Sequence, residues 1–100
     1  MDKIFKILAD RSRRLILTLL KERPREVGEI VEKMVIGQAT VSAHLAKMKK
    51  ADLVIVEIKR KNRIYKINAE VWNSFIKEIN RFGSETAPYL SDEIILRRKM

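Results

Sequence analysis

Residues 37–45, Gly37-Gln38-Ala39-Thr40-Val41-Ser42-Ala43-His44-Leu45, decide how this chain folds. Val41 and Leu45 stand four residues apart, so a helix here has one side that anchors to a core. Around them Gln38, Ala39, Thr40, Ser42 and Ala43 are short or polar. That is what a helix entering the major groove of DNA needs at its N-terminal end, because short side chains let its backbone approach the duplex. Gln38, Thr40 and Ser42 can bond bases or phosphates, and the methyls of Ala39 and Ala43 can pack on thymine methyls. His44 and Lys47 lie further along, spaced for base edges or the phosphate rim. Gln38 is the only glutamine of the chain, and an amide can bond adenine bidentately. A plain amphipathic helix with a solvated face would show the same pattern, so the neighbouring segments carry the decision.

On the upstream side, Val27, Ile30, Val31 and Met34 predict a helix over 25–34. About three residues, punctuated by Gly37, would join it to a reading helix over 38–50 whose Val41, Leu45 and Met48 face inward. That is the connection length of a helix-turn-helix. Before it, residues 11–22 carry Leu15, Ile16, Leu19 and Leu20 as a wide apolar stripe. Asp10 is suited to cap that helix, and Arg23-Pro24 to end it, since the residue before proline disfavours helix. A short first helix over 2–9 shows Ile4, Phe5 and Leu8.

On the downstream side the period changes. Residues 53–58 are mostly β-branched, with Val54, Val56 and Ile58 on one side of a strand, and 64–67 form a second strand. Between them Lys59-Arg60-Lys61-Asn62-Arg63 makes a charged tip, with Asn62 suited to the positive φ of a turn. From residue 47 to 66 there are eight basic residues and two acidic ones, so this fifth of the chain supplies six of its nine net positive charges. A charge run is ordinarily a solvated loop. Here it interrupts two apolar strands at a tight tip, so it projects as a unit suited to a minor groove and flanking phosphates.

Asn68 caps a further helix over 69–82, where Val71 or Trp72, Phe75, Ile76, Ile79 and Phe82 form an apolar face, and Gly83 stops it. Residues 84–91 read as a linker containing Pro88, and 92–100 as a short helix. The expected organisation is therefore one DNA-binding and dimerisation domain over 1–83, followed by a linker and short C-terminal helix over 84–100.

Composition narrows the classes. A net charge of +9 on 100 residues favours a polyanionic partner. Cysteine is absent and His44 is the only histidine, which excludes thiolate chemistry and a multi-histidine zinc site within one chain. No run of eighteen apolar residues exists to span a membrane, and residues 1–6 lack the apolar core of a secretory signal, so a cytoplasmic protein is expected. Scarce amides and no cysteine lean towards a thermophilic source. No nucleophile–base pair, phosphate-cradling glycine loop or metal cluster points to an enzyme.

Leu8-Ala9-Asp10 through Leu20, then Gln38-Ala39-Thr40-Val41-Ser42-Ala43-His44-Leu45, Ala51-Asp52-Leu53-Val54 and Ile64-Tyr65-Lys66-Ile67, resemble the ArsR family of winged helix-turn-helix repressors. The resemblance covers residues 7–68. It implies a mainly α fold with a small β-hairpin, with residues 38–44 in the major groove and Lys59, Arg60, Lys61, Asn62 and Arg63 as the wing. It also implies a homodimer formed by the terminal helices, here through Ile4, Phe5, Leu8, Trp72, Phe75, Ile76, Ile79 and Phe82. An ordinary intramolecular core would use the same aromatics. The chain departs from the family's metal sensors. Arg25-Glu26-Val27-Gly28-Glu29 stands where some place cysteines, and the last long helix has no histidine, with Glu70 and Glu78 two turns apart. The usual serine cap of the reading helix is Gly37.

The expected function is a sequence-specific double-stranded DNA-binding transcription regulator, a homodimeric repressor on an inverted repeat. No cofactor and no metal are implied, and a small-molecule effector is left open. A sequence-neutral architectural protein, or a winged helix that binds protein, would share the charge and the fold.

Overall fold

The computed structural model describes residues 1–83; the expected linker and short helix over 84–100 lie outside the described residues. Helix α1 spans Asp2–Leu8 and α2 spans Arg11–Glu22. Asp10 caps α2 as expected, its Oδ1 accepting from the Arg13 N–H at 3.1 Å. Two arginines of α2 then reach back to the carbonyls at the end of α1. Arg13 donates from Nε to the Ile7 carbonyl at 3.0 Å and from Nη2 to the Lys6 carbonyl at 3.1 Å, and Arg14 donates to the Leu8 carbonyl at 2.7 Å. A seven-residue helix is too short to be stable alone, and these bonds fasten it to its neighbour.

The expected helix over 25–34 is shorter and starts later. Arg23 leaves α2 in an extended conformation ahead of Pro24, and Arg25–Glu26 forms a short strand, β1. Arg25 is buried, donating to the Leu19 carbonyl at 3.0 Å and to Glu22 at 2.9 Å, which holds the chain extended at the end of α2. Helix α3 is confined to Val27–Glu32, opened by a capping box between Glu26 and Glu29. Residues 33–37 then connect it to α4, Gln38–Lys50, a longer connection than the one expected.

Strand β2 spans Val54–Lys59 and β3 spans Asn62–Ile67, antiparallel, with Lys59 opposite Asn62. The tip is thus only Arg60-Lys61, and Arg60, not Asn62, takes the positive φ, at 59°. The sheet order is β1-β3-β2, so the hairpin gains a third short strand through Arg25 opposite Tyr65. Residues 69–83 are helical and form α5, with the Asn68 side chain accepting from the Val71 N–H at 3.4 Å. Gly83, expected to stop this helix, is itself helical.

The core gathers Ile4 and Ile7 of α1, Ile16, Leu17 and Leu20 of α2, Ile30 of α3, and Val41, Leu45 and Met48 of α4. Leu53, Val54, Tyr65 and Phe75 complete it. In α2 the expected stripe is rotated: Leu17 is inside, whereas Leu15 is 46% exposed. The fold is a winged helix-turn-helix, mostly helical with one small antiparallel sheet.

Candidate nucleic-acid interface

Helix α4 is fixed by one side only. Val41, Leu45 and Met48 are fully buried, and each such burial contributes roughly 1.5–3 kcal/mol. The helix turns Gln38, Ala39, Thr40, Ser42, Ala43 and Lys47 to solvent. Gly37 occupies the cap position with φ −79° and ψ 171° and supplies no side chain to the first-turn N–H groups. These donors, at the positive end of the helix dipole, lie beside the short side chains, an arrangement that favours an anion such as a phosphate.

His44 differs from its neighbours. It is half-buried, and its Nδ1 is enclosed without a hydrogen-bond partner among the described residues. The His44 ring, expected at base edges or the phosphate rim, is thus left outside only in part. The Asp10 carboxyl is held below its ordinary value chiefly by the Arg13 N–H.

The other end of α4 is closed so that the wing follows directly. Asp52, at φ 60°, donates to the Lys49 carbonyl at 2.9 Å, and Leu53 donates to Met48 at 3.0 Å. This is a Schellman closure, with Leu53 and Met48 both buried beneath it. Strand β2 begins at the next residue and packs against α4. The register places Val54, Val56 and Ile58 of β2 on one face with Ile67, Tyr65 and Arg63 of β3. Val54 and Tyr65 are buried, whereas Ile58 is 71% exposed. That face therefore leaves the core before the tip, and the hairpin projects. Lys59, Arg60, Lys61, Asn62 and Arg63 are all exposed. Lys66 is not part of a free basic surface, because it pairs with Glu57 on β2.

The expected dimer residues divide into two groups. Ile4 and Phe75 are buried within the chain, with Phe75 packed edge-on against Phe5 at 5.4 Å between ring centroids. Leu8, Trp72 and Ile79 are half-buried, and Lys21 lies 4.6 Å over the Trp72 ring. Phe5, Ile76 and Phe82 are exposed, Phe82 by 64%. What remains open on α1 and α5 is an apolar strip carrying two phenylalanines, the kind of surface that marks an association site.

Several residues escaped the sequence reading. Arg13, Arg14 and Arg25 look like surface cations, and nothing in their spacing announces carbonyl partners. Val35, in the turn before α4, is fully exposed beside the reading helix. Lys3 and Lys6 stand three apart on the polar side of α1, a signal that was there to be used. Among the described residues no group of acids and histidine is placed to hold a metal, and no helix is long and apolar enough to cross a membrane.

Residues 10–56 match the family model described as bacterial regulatory protein, arsR family. The match runs from the cap of α2 into β2, and so contains the whole of α4. The chain is similar to the transcriptional repressor SdpR of Bacillus subtilis (strain 168), with 32% identity over 82 residues covering 82% of this chain and 91% of that protein. Among solved structures it resembles the homodimeric winged helix-turn-helix DNA-binding domain Mb0332 from Mycobacterium bovis, a possible ArsR-family regulator. That likeness has a TM-score of 0.69 and 25% identity, covering 88% of this chain and 82% of that one. An ArsR-like regulator from Rhodococcus sp. RHA1 shares the fold at a TM-score of 0.79, with 21% identity over 99% of this chain and 91% of that one.

Proposed function

Since this chain belongs to the arsR family of bacterial regulatory proteins, and is thereby a DNA-binding transcription regulator, we propose that it is a homodimeric repressor that reads an inverted repeat. The observation that carries the reading is the division of α4. One side is locked into the core, and the other presents Gln38, Ala39, Thr40, Ser42 and Ala43 to solvent beside a projecting basic hairpin. In this account those residues, with Lys47 and the outer part of His44, contact bases and the groove rim. Lys59, Arg60, Lys61, Asn62 and Arg63 hold the backbone and the adjacent minor groove.

Two copies would meet through the strip of Phe5, Leu8, Trp72, Ile76, Ile79 and Phe82, with Ile4 and Phe75 supporting it from within. A two-fold pair places two reading helices on half-sites about one helical turn apart, so occupying the site blocks a promoter that contains it. Residues 1–83 would form the unit that binds and dimerises, acting in the cytoplasm. The names of SdpR, a repressor, and Mb0332, a homodimer, agree with this.

Selection of bound duplexes from a random pool at near-physiological salt tests the proposal. Enrichment of an inverted repeat is expected. Binding without enrichment would replace the repressor with a sequence-neutral architectural protein. No binding at all would make the wing a protein contact.

A further inference from the structure

A second basic feature lies away from the wing. At the junction of α1, α2 and the C-terminal end of α4 is a cleft of about 410 Å³, lined by Lys3, Lys6, Arg13, Lys47 and Lys50, with no acidic wall among the described residues. Arg13 is fixed there by its bonds to the Lys6 and Ile7 carbonyls. Among the described residues the four ammonium groups make no ion pair. Helix dipoles explain part of this, because Lys6, Lys47 and Lys50 lie in the last turns of their helices. They do not explain Lys3, which lies in the first half of α1, away from its negative end. Five like charges around one cleft repel one another unless an anion enters.

The position of the cleft indicates which anion. Ala39, Ala43, Lys47 and Lys50 follow one another along one stripe of α4, so the cleft continues the reading face. From Ala39 to Lys50 the helix rises about 16 Å, more than the roughly 12 Å width of the major groove. A helix whose N-terminal half reads bases therefore brings its last turn to the phosphate ridge. We propose that this cleft is a phosphate-binding site, formed with Lys3 and Lys6 of α1, that takes a backbone phosphate of the bound duplex outside the bases read by α4. The inference rests on the DNA-reading function proposed above.

The test compares the chain with its Lys3→Gln/Lys6→Gln variant by titrating duplex over a range of salt concentrations. The variant is expected to show a slope of log affinity against log salt that is shallower by about 0.9 for the one phosphate lost from each cleft, and so by about 1.8 for a homodimer with two clefts. The weakening should be equal on preferred and random sequences. Lys3→Arg/Lys6→Arg should restore the slope, and inorganic tripolyphosphate should compete with DNA more strongly on the original chain than on the glutamine variant. An unchanged slope in a variant that melts like the original chain would overturn the inference while leaving the DNA reading intact. Tripolyphosphate binding that leaves DNA affinity untouched would assign the cleft to a free anion and also overturn it. Failure of the original chain to bind any duplex would instead overturn the reading beneath it.

Discussion

The backbone N–H of Leu53 donates to the carbonyl of Met48 at 3.0 Å, and both side chains are buried under that bond. This single closure ends α4 and begins the wing one residue later, so it sets the reading helix and the basic hairpin relative to each other. It requires Asp52 to hold φ at 60°, a conformation that aspartate tolerates and β-branched residues do not. Asp52→Val is expected to lower stability by about 1–2 kcal/mol. Asp52→Gly should fall within about 0.5 kcal/mol of the original chain, because relieved strain and greater unfolded-state freedom oppose each other. Urea unfolding midpoints separate the two, and equal losses in both would show that the closure does not set this geometry.

Phe75 and Phe82 lie on the same helix and should behave differently. Phe75 is 6% exposed and packs against Phe5, so Phe75→Ala should cost about 3–5 kcal/mol of stability. Phe82 is 64% exposed, so Phe82→Ala should leave the protomer's own packing nearly intact and shift the dimer towards monomer. Chemical unfolding together with sedimentation distinguishes the roles. A Phe82→Ala chain that sediments unchanged would remove that residue from the interface.

At the wing, the positive φ of Arg60 falls on the first of two tip residues, the pattern of a type II′ turn, which favours glycine there. Arg60→Gly should therefore fold at least as stably as the original chain. Its salt slope on DNA should be shallower by about 0.9 for each protomer bound, equally on all sequences. A stability loss above about 1 kcal/mol would mean that the arginine side chain holds the tip.

Acid should loosen the fold through three carboxyls. Asp10 is held below its ordinary 3.8 by the Arg13 N–H, and Glu29 below 4.5 by the Arg23 guanidinium at 2.5 Å. Glu57 is held below 4.5 by Lys66. A carboxyl whose value is lowered by folding adds stability above its ordinary value and loses it as pH falls through the folded one. Denaturant midpoints should therefore decline as pH drops below 4.5 and on past 3.8. Glu57→Gln should reduce that decline. An identical acid profile in the Glu57→Gln variant would show that the Lys66 pair contributes nothing to it.

Local chemistry made much of this fold legible before any coordinates. The Asp10 cap, the stop at Arg23-Pro24 and the spacing of Val41, Leu45 and Met48 each depend on a few adjacent residues, and the structure agrees with all three. Features set by distant partners were not legible. Residues 25–26 have a helical pattern but lie extended, because Tyr65 and Ile64 pair with them and Leu19 accepts from Arg25. Leu15 fits an apolar stripe as well as Leu17 does, and only the packing of α2 decides which is inside. The basic cleft was missed for the same reason, since Lys3 and Lys50 meet only once the chain is folded.

The central claim is that α4 reads bases while the wing holds the backbone. The most direct measurement is the ratio of affinities for a selected duplex and for random DNA, in the original chain, in Gln38→Ala and in Arg63→Ala. Without the proposed adenine bonds of Gln38 that ratio should fall by about 1–3 kcal/mol, roughly 5- to 150-fold, with little change on random DNA. Arg63→Ala should weaken both affinities alike and leave the ratio where it was. Equal losses on selected and random DNA for Gln38→Ala would contradict the account.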